Sequence, residues 1–170
     1  MTTLSSPNRV VWEYFEALRR LVVDSRKAES EAVRRQNAAI AVVMAVTVVE
    51  VFLNIWFRVR AEEFHSKDDV MRLISELGHP RPWSLDQKIK HWPKRYLGKS
   101  VDLEHGPGAE FMRVKTLRNS IIHFGSTHIS MKHENVVMNG LADTTDYDEL
   151  SYEKAKQALF AAEDLIGEIF

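Results

Sequence analysis

The sequence predicts an all-α protein, one domain over residues 1–170 built as a bundle of about four to five helices. Three observations lead to this prediction. Apolar residues recur at steps of three and four along most of the chain, which is the spacing of one helix face. The 170 residues include only 7 Gly and 5 Pro, the main turn-forming residues. A hydrophobic content of 45% is enough for one core and hardly for two.

Two helices are expected in the N-terminal part. The first covers residues 7–26 and begins at Pro7, after residues 1–6, which we expect to form a flexible tail. Its apolar stripe consists of Val10, Val11, Tyr14, Phe15, Leu18, Leu21 and Val22. The second helix covers residues 31–63 and is the most hydrophobic element, so we expect it at the centre of the bundle.

This second helix also has the length of a membrane span, since residues 38–57 are mostly apolar and a bilayer needs roughly 20 residues. Glu50 and Asn54 lie inside the stretch, and a charged side chain at mid-bilayer costs on the order of 3 kcal/mol. We therefore expect a core helix and no membrane attachment. Cys is absent and the chain start lacks a secretory pattern, which favours a cytoplasmic location.

Two shorter helices are expected next. Residues 66–77 form the first, with Ser66 as its capping residue. The other begins at Ser84, which stands three residues before Gln87 in the pattern of a capping box. Pro93 is expected to kink or interrupt this helix, because proline lacks the N–H group that a helix interior needs.

Helices over residues 109–124 and 151–169 are expected to close the domain. Residues 128–139 between them alternate weakly in polarity and allow a minor hairpin. At 100° per residue, the core stripe of the helix over 109–124 consists of Val114, Leu117, Ile121 and Phe124. Asn119 and His123 are four residues apart and therefore lie together on the opposite side.

Arg118, Asn119 and His123 form a polar set that suits RNA cleavage without a metal. An imidazole titrates near neutral pH, so it can take a proton from a ribose 2′-hydroxyl or give one to a departing 5′-oxygen. The guanidinium can stabilise charge on the phosphorus centre. Asn119 can hydrogen-bond the ring of His123 and orient it. Such cleavage leaves a 2′,3′-cyclic phosphate and a 5′-hydroxyl.

The same residues have a simpler interpretation. His123 stands in the last turn of its helix and could merely complement the helix dipole, with Asn119 bonded locally. Met112 and Ile122 place apolar side chains beside the polar pair, which indicates a surface that another molecule covers. A second copy of the chain is the economical candidate.

A basic segment is the candidate RNA-binding surface. Residues 81–99 carry six basic residues and one acidic residue, interleaved with aromatic rings. Cations can follow phosphates, and rings can stack on unpaired bases. The predicted RNA-binding residues are Lys88, Lys90, Trp92, Lys94, Arg95 and, from the helix over 109–124, Lys115. The alternative is ordinary helix packing by the aromatic residues, with the lysines in water.

Glu50 and Asn54 belong to one polar stripe on the otherwise apolar second helix. They either face water or line a cleft shared with the motif, as supporting polar residues. The histidines at 123, 128 and 133 are five residues apart, a spacing that fits neither a helix face nor a strand face. We therefore expect no metal site and no cofactor.

The segment LRNSIIHFG, preceded by the apolar stretch AVVMAVTVVEVFLNIWF, resembles the HEPN superfamily of α-helical domains. The shared pattern is Arg, a polar residue, three variable positions and His, which Arg118, Asn119 and His123 match position by position. The resemblance spans residues 38–170. It implies dimerisation that brings two motifs into one cleft and, frequently, metal-independent endoribonuclease activity in toxins and defence effectors. Toxins of this kind that pair with nucleotidyltransferase antitoxins often carry Tyr where this chain has Gly125, so regulation through that tyrosine is not expected.

The expected function is therefore a homodimeric HEPN-type endoribonuclease that acts on RNA and not on DNA, with an antitoxin or another protein as a candidate partner. A catalytically inactive interaction or dimerisation module is the first alternative. A nucleotide-binding helical domain is the second.

Overall fold

The computed structural model describes residues 7–78, 82–123, 129–133, 136–141 and 144–170, and only the backbone of 7–8, 64, 129–133 and 136–141. The described elements are α1 (Pro7–Lys27), α2 (Glu31–Phe64), α3 (Lys67–Leu77), α4 (Leu85–Leu97), α5 (Gly106–His123), β1 (Ile129–His133), β2 (Val136–Leu141), α6 (Thr145–Asp148) and α7 (Tyr152–Ile169). The predicted all-α fold is confirmed, with more helices than the four to five expected. β1 and β2 pair antiparallel in the region where a hairpin was allowed. The expected tail at 1–6 lies outside the described residues.

α2 is the central element, and α1, α5 and α7 pack against it. Val42, Val49, Leu53 and Phe57 are fully buried along its length. α2 is long and apolar enough to cross a membrane; its most apolar stretch has a mean hydropathy of 2.3, and half of that stretch is buried inside the bundle. The neighbouring helices thus cover much of the apolar surface that makes α2 the most hydrophobic element.

α1 and α2 form a helical hairpin joined by residues 28–30. Ser30 caps α2, because its hydroxyl oxygen accepts a hydrogen bond from the backbone N–H of Val33. The hydroxyl of the fully buried Ser25 donates to the carbonyl oxygen of Arg34 at 3.0 Å. These bonds satisfy polar groups at the corner and fix the angle at which α2 leaves α1.

α3 and α4 are joined by a buried carboxylate. Glu76 accepts a hydrogen bond from the indole Nε1 of Trp92 at 2.8 Å and two from Nη1 of Arg95 at 2.9 Å. Glu76 and Trp92 are buried, and the Arg95 side chain is only 19% exposed. The positive charge of Arg95 and the hydrogen bond from Trp92 compensate the free-energy cost of burying this carboxylate.

Pro93, where the sequence predicts a kink or an interruption, does not interrupt α4, which runs to Leu97. The capping box of Ser84 and Gln87 fixes its start, and Gly98, in the left-handed conformation with φ of 70°, fixes its end. Packing of the buried residues around Pro93 then outweighs the loss of one backbone hydrogen bond, which costs roughly 3 kcal/mol in a helix interior.

The start of α5 is packed tightly against the segment before it. α5 begins at Gly106, earlier than predicted, because Pro107 is tolerated in the first turn of a helix. A Cβ at Gly108 would lie 2.1 Å from the carbonyl oxygen of Asp102. Only glycine therefore fits this position without a shift of the backbone.

Gly108→Ala is expected to lower the free energy of unfolding by about 1–3 kcal/mol, because the added methyl group overpacks this contact. Urea denaturation measures the change. Gly167→Ala on α7 is the matched control, since a Cβ there meets nothing within 4 Å. The control is expected to be neutral or stabilising by up to about 1 kcal/mol through helix propensity. Equal responses of the two variants would contradict the close approach of Asp102.

Candidate functional site

α5 places Asn119 and His123 on the side opposite the predicted core stripe, with Arg118 at the edge of the stripe. The stripe residues that are buried or partly buried are Val114, Leu117 and Ile121. Phe124, the last expected member of the stripe, lies outside the described residues. On the outward side, Asn119 is half-buried and His123 is exposed. The orientation of the helix is therefore the one that its periodicity predicts.

Arg118 is half-buried, and its Nη1 donates a hydrogen bond to Oδ1 of Asn119 at 3.0 Å. The sequence predicts that Asn119 orients His123, whereas its described hydrogen bond is with Arg118. Because Asn119 and His123 lie one turn apart, this bond draws the guanidinium towards the side of the helix that carries the imidazole. The described hydrogen bond of Asn119 therefore holds the guanidinium, and its role in orienting the ring of His123 stays a prediction.

The Nε of Arg118 is buried and has no hydrogen-bond partner among the described residues. A buried donor without a partner costs about 1–3 kcal/mol. Because this Nε is closed to solvent, a contact with a phosphate oxygen would have to come from the other nitrogens of the half-buried guanidinium.

His123 is the last residue of α5, and its side chain is exposed. In this last turn the imidazole also meets the negative end of the helix dipole, so both interpretations of the residue are compatible with its place. Its exposure leaves the ring accessible to a substrate, which a catalytic role requires.

Glu50 and Asn54 are engaged with elements other than α5. Oε1 of Glu50 lies 2.9 Å from Nζ of Lys88 on α4. Asn54 lines a cavity of about 550 Å³ that also includes Leu77 of α3, and its Oδ1 is buried without a hydrogen-bond partner in the described part of the chain. No described hydrogen bond or ion pair joins either residue to the motif on α5. The structure therefore gives no direct link between these two residues and the polar set.

The predicted RNA-binding surface on α4 is wrong for two residues. Lys88 is 4% exposed, and its ammonium is bound to Glu50. Trp92 is fully buried, and its indole is bound to Glu76. α4 turns these side chains towards α2 and α3, where carboxylates take the place of water as partners. Neither side chain can track a phosphate or stack on a base.

The side chain of Arg95 also binds other residues of the protein. Its guanidinium donates to Glu76 and lies 5.3 Å from the ring centroid of Trp83. Burial lowers the pKa of Arg95, but hydrogen bonds with Tyr96 and Glu76 more than offset this, and its pKa stands above the usual value. Arg95 therefore remains charged, and its charge is paired with Glu76 on α3.

The remaining predicted cations divide into two kinds. Lys115 on α5 pairs with Asp86 on α4, with Nζ 2.8 Å from Oδ1. Lys90 and Lys94 are exposed, and neither has a described hydrogen bond or ion pair within the residues that the structure covers. Because they are four residues apart on α4, they share one face of that helix. The accessible positive charge of the basic segment is thus smaller than its sequence indicates.

The described residues contain no group of three or more His, Cys, Asp and Glu side chains that could hold a metal ion. Of the histidines that recur every five residues, His128 lies outside the described residues, and the side chain of His133 is not described. Among these three evenly spaced histidines, the structure therefore describes the side chain of His123 alone.

Two residues were not singled out by sequence reasoning. Glu76 stands three residues after the fully buried Leu73 on α3, and this spacing was the signal for a carboxylate on the core side. Trp12 lies off the apolar stripe of α1 and is 59% exposed. A large aromatic residue outside the apolar stripe was the signal for a surface that binds another molecule.

Comparisons with protein-family models, with curated proteins and with solved structures give no match for this chain. The resemblance to the HEPN superfamily accordingly rests on Arg118, Asn119 and His123 themselves and on the helix that precedes them. Function is therefore argued from the site.

Proposed function

We propose that the protein is a metal-independent endoribonuclease of the HEPN type that acts as a homodimer in the cytoplasm. One observation carries this proposal: α5 holds an exposed imidazole, His123, on the side that turns away from the core, and the half-buried guanidinium of Arg118 is hydrogen-bonded to Asn119 on that side. Attack by a neighbouring hydroxyl on a phosphodiester needs a positioned cation and an accessible acid–base group. The role we propose is that of a toxin or defence effector, with an antitoxin or another protein as regulator.

In the proposed reaction, the ribose 2′-oxygen forms a bond to the adjacent phosphorus atom, and the bond from phosphorus to the 5′-oxygen breaks. A neutral imidazole takes the proton of the 2′-hydroxyl, and a protonated imidazole gives a proton to the 5′-oxygen. Arg118 stabilises the charge on the non-bridging oxygens. The products are a 2′,3′-cyclic phosphate and a 5′-hydroxyl, and the reaction is expected to proceed in the presence of a chelator.

A second copy of the chain fits the needs of this reaction. Two proton transfers favour two imidazoles, and α5 contains His123 as its single histidine. An apolar side chain beside His123 supports an interface, because Ile122 is 44% exposed on α5. A dimer would cover this side chain and bring two motifs together.

Arg118→Ala is expected to lower the rate of RNA cleavage in EDTA by about 10²–10³-fold, because it removes the group that stabilises the transition state. The assay combines purified protein with total RNA and a labelled oligonucleotide, and identifies the cyclic phosphate on the products. Arg113→Ala is the matched control on the same helix, since Arg113 is 67% exposed and pairs with Glu110 at the surface. The control is expected to stay within about twofold of the wild type.

Cleavage that persists in Arg118→Ala would assign the activity to another site or to a contaminating nuclease. Absence of cleavage by the wild type over a broad RNA panel would favour the catalytically inactive interaction module. Sedimentation of the active wild type as a monomer would contradict the shared cleft.

A further inference from the structure

One face of α2 stays partly open to solvent, although α2 is the central helix of the bundle. Val33 is 46% exposed and Ile40 is 50% exposed. Met44, Thr47 and Val51 continue this line at steps of three and four residues, and each is partly exposed. Single exposed apolar residues are ordinary, but a continuous line of them marks a surface that another molecule covers. We call this line the open face of α2.

The open face has the seven-residue period of a coiled coil. Asn37 and Asn54 lie on the same face and are partly exposed, and they complete a pattern of alternate steps of four and three residues. These steps are those of the a and d positions of a heptad. From Val33 to Asn54 the open face is about 32 Å long. A second helix of similar length can therefore pack along it.

The open face carries no charge of its own. Between residues 36 and 57, the only charged side chain of α2 is that of Glu50. Its Oε1 lies 2.9 Å from Nζ of Lys88, so this charge is already paired within the protein. The hydroxyl of Thr47 donates a hydrogen bond to the carbonyl oxygen of Val43 at 2.9 Å. The open face thus offers no unpaired charge to a nucleic acid or a charged peptide, whereas an identical neutral face meets no repulsion.

The two asparagines favour a second copy of α2 over an unrelated helix. Antiparallel pairing about a two-fold axis between residues 45 and 46 places Asn37 opposite the partner subunit's Asn54, and Ile40 opposite the partner subunit's Val51. Amides then face amides, and branched apolar side chains face each other. Neither asparagine side chain has a hydrogen bond within the described part of the chain, and asparagines at such positions fix the register of a coiled coil. Antiparallel helices also bring opposite ends of their dipoles together.

We infer that α2 pairs antiparallel with α2 of a second copy of the chain along the open face. Pairing removes the exposed Val33 and Ile40 of both subunits from water, which stabilises the dimer. The homodimer of the proposed function thereby gains a defined interface, and no residue of the motif on α5 takes part in it. Pairing through α2 and cleavage of RNA can therefore fail separately.

Disulfide trapping tests the pairing in the full chain, which has no Cys of its own. Ile40→Cys and Val51→Cys are prepared as separate single variants, and each is oxidised alone and after mixing with the other. In the antiparallel pair, residues 40 and 51 of different subunits face each other and can form a disulfide. The two copies of residue 40 lie about 16 Å apart along the helix axis, beyond the Cα distance of roughly 7 Å that a disulfide bridges. A disulfide-linked dimer is therefore expected from the mixture and from neither variant alone.

Ile40→Lys tests what the open face contributes to dimerisation. The substitution places an unpaired charge in the apolar part of the pairing, and it is expected to raise the Kd of the dimer at least about tenfold in sedimentation equilibrium. Met71→Lys is the matched control, because Met71 is 58% exposed on α3 and lies outside the open face. The control is expected to keep the Kd within about twofold of the wild type. Circular dichroism checks that both variants are folded.

Three results would overturn the antiparallel pairing: no disulfide in the mixture, a disulfide between two copies of Ile40→Cys, which indicates parallel helices, or equal Kd values for Ile40→Lys and Met71→Lys. A trapped dimer that cleaves no RNA would contradict the nuclease and support the interface. Cleavage by a protein that gives no trapped dimer would contradict the interface alone.

Discussion

Replacement of His123 by alanine is expected to lower the rate of RNA cleavage by about 10²–10⁴-fold, the usual contribution of one general acid or base. Its side chain is exposed at the end of α5, so the variant is expected to keep its fold and its unfolding temperature within a few degrees. Initial rates over a range of pH give the second readout. The wild type is expected to show a bell-shaped dependence, and the variant is expected to lose it.

His105→Ala is the matched control for this prediction. The His105 side chain is 81% exposed in the segment before α5, where its Nδ1 lies 3.0 Å from the carboxylate of Asp102. Its removal is expected to leave cleavage unchanged. If the two histidine variants cleave RNA at the same rate as the wild type, His123 transfers no proton and its role is to complement the helix dipole.

Glu76→Ala is expected to lower the free energy of unfolding by about 3–5 kcal/mol, the effect of removing one partner from a buried ion pair. The substitution leaves the guanidinium of Arg95, whose side chain is only 19% exposed, without its carboxylate. It also leaves the indole N–H of the fully buried Trp92 without an acceptor. Guanidinium chloride denaturation followed by tryptophan fluorescence measures the loss.

Glu62→Ala provides the control for the stability measurement. Glu62 is 51% exposed on α2 and pairs with Arg58 one turn away, and such a surface pair contributes up to about 0.5 kcal/mol. Glu76→Gln keeps an acceptor for Trp92 and is expected to fall between the two. A loss below about 1 kcal/mol for Glu76→Ala would show that water or rearranged side chains replace the carboxylate.

Much of the fold could be predicted because its signals are local. Ser66, Ser84 and Ser151 each cap the helix that was expected to begin there, and the high hydrophobic content of α2 predicted its central place. On α5, helical periodicity correctly separated the buried Ile121 from the exposed His123. Of the kink or interruption expected at Pro93, the interruption does not occur, because packing of the neighbouring residues, which a local pattern does not contain, offsets the cost of one proline.

The candidate site was harder to predict because partners of polar side chains come from distant parts of the chain. Lys88 pairs with Glu50, 38 positions away, and Trp92 donates a hydrogen bond to Glu76, 16 positions away. Helical spacing separates Lys88, three residues after the buried Leu85, from the exposed Lys90, but it does not identify the carboxylate that pairs with Lys88. Asn119 was placed correctly beside His123 on the helix surface, but its hydrogen bond with Arg118 depends on rotamers, which residue spacing does not specify.

The helices that cover α2 are synthesised at different times. The α1–α2 hairpin closes over a three-residue corner and can form as soon as both helices are synthesised, because its loop-closure entropy is small. α7, which covers another part of α2, is translated many residues later, and synthesis proceeds at about 5–20 residues per second. For some seconds the nascent chain therefore exposes a long apolar helix with the composition of a membrane span. Chaperones that bind apolar segments are expected to meet this chain during that interval, before its last helix docks.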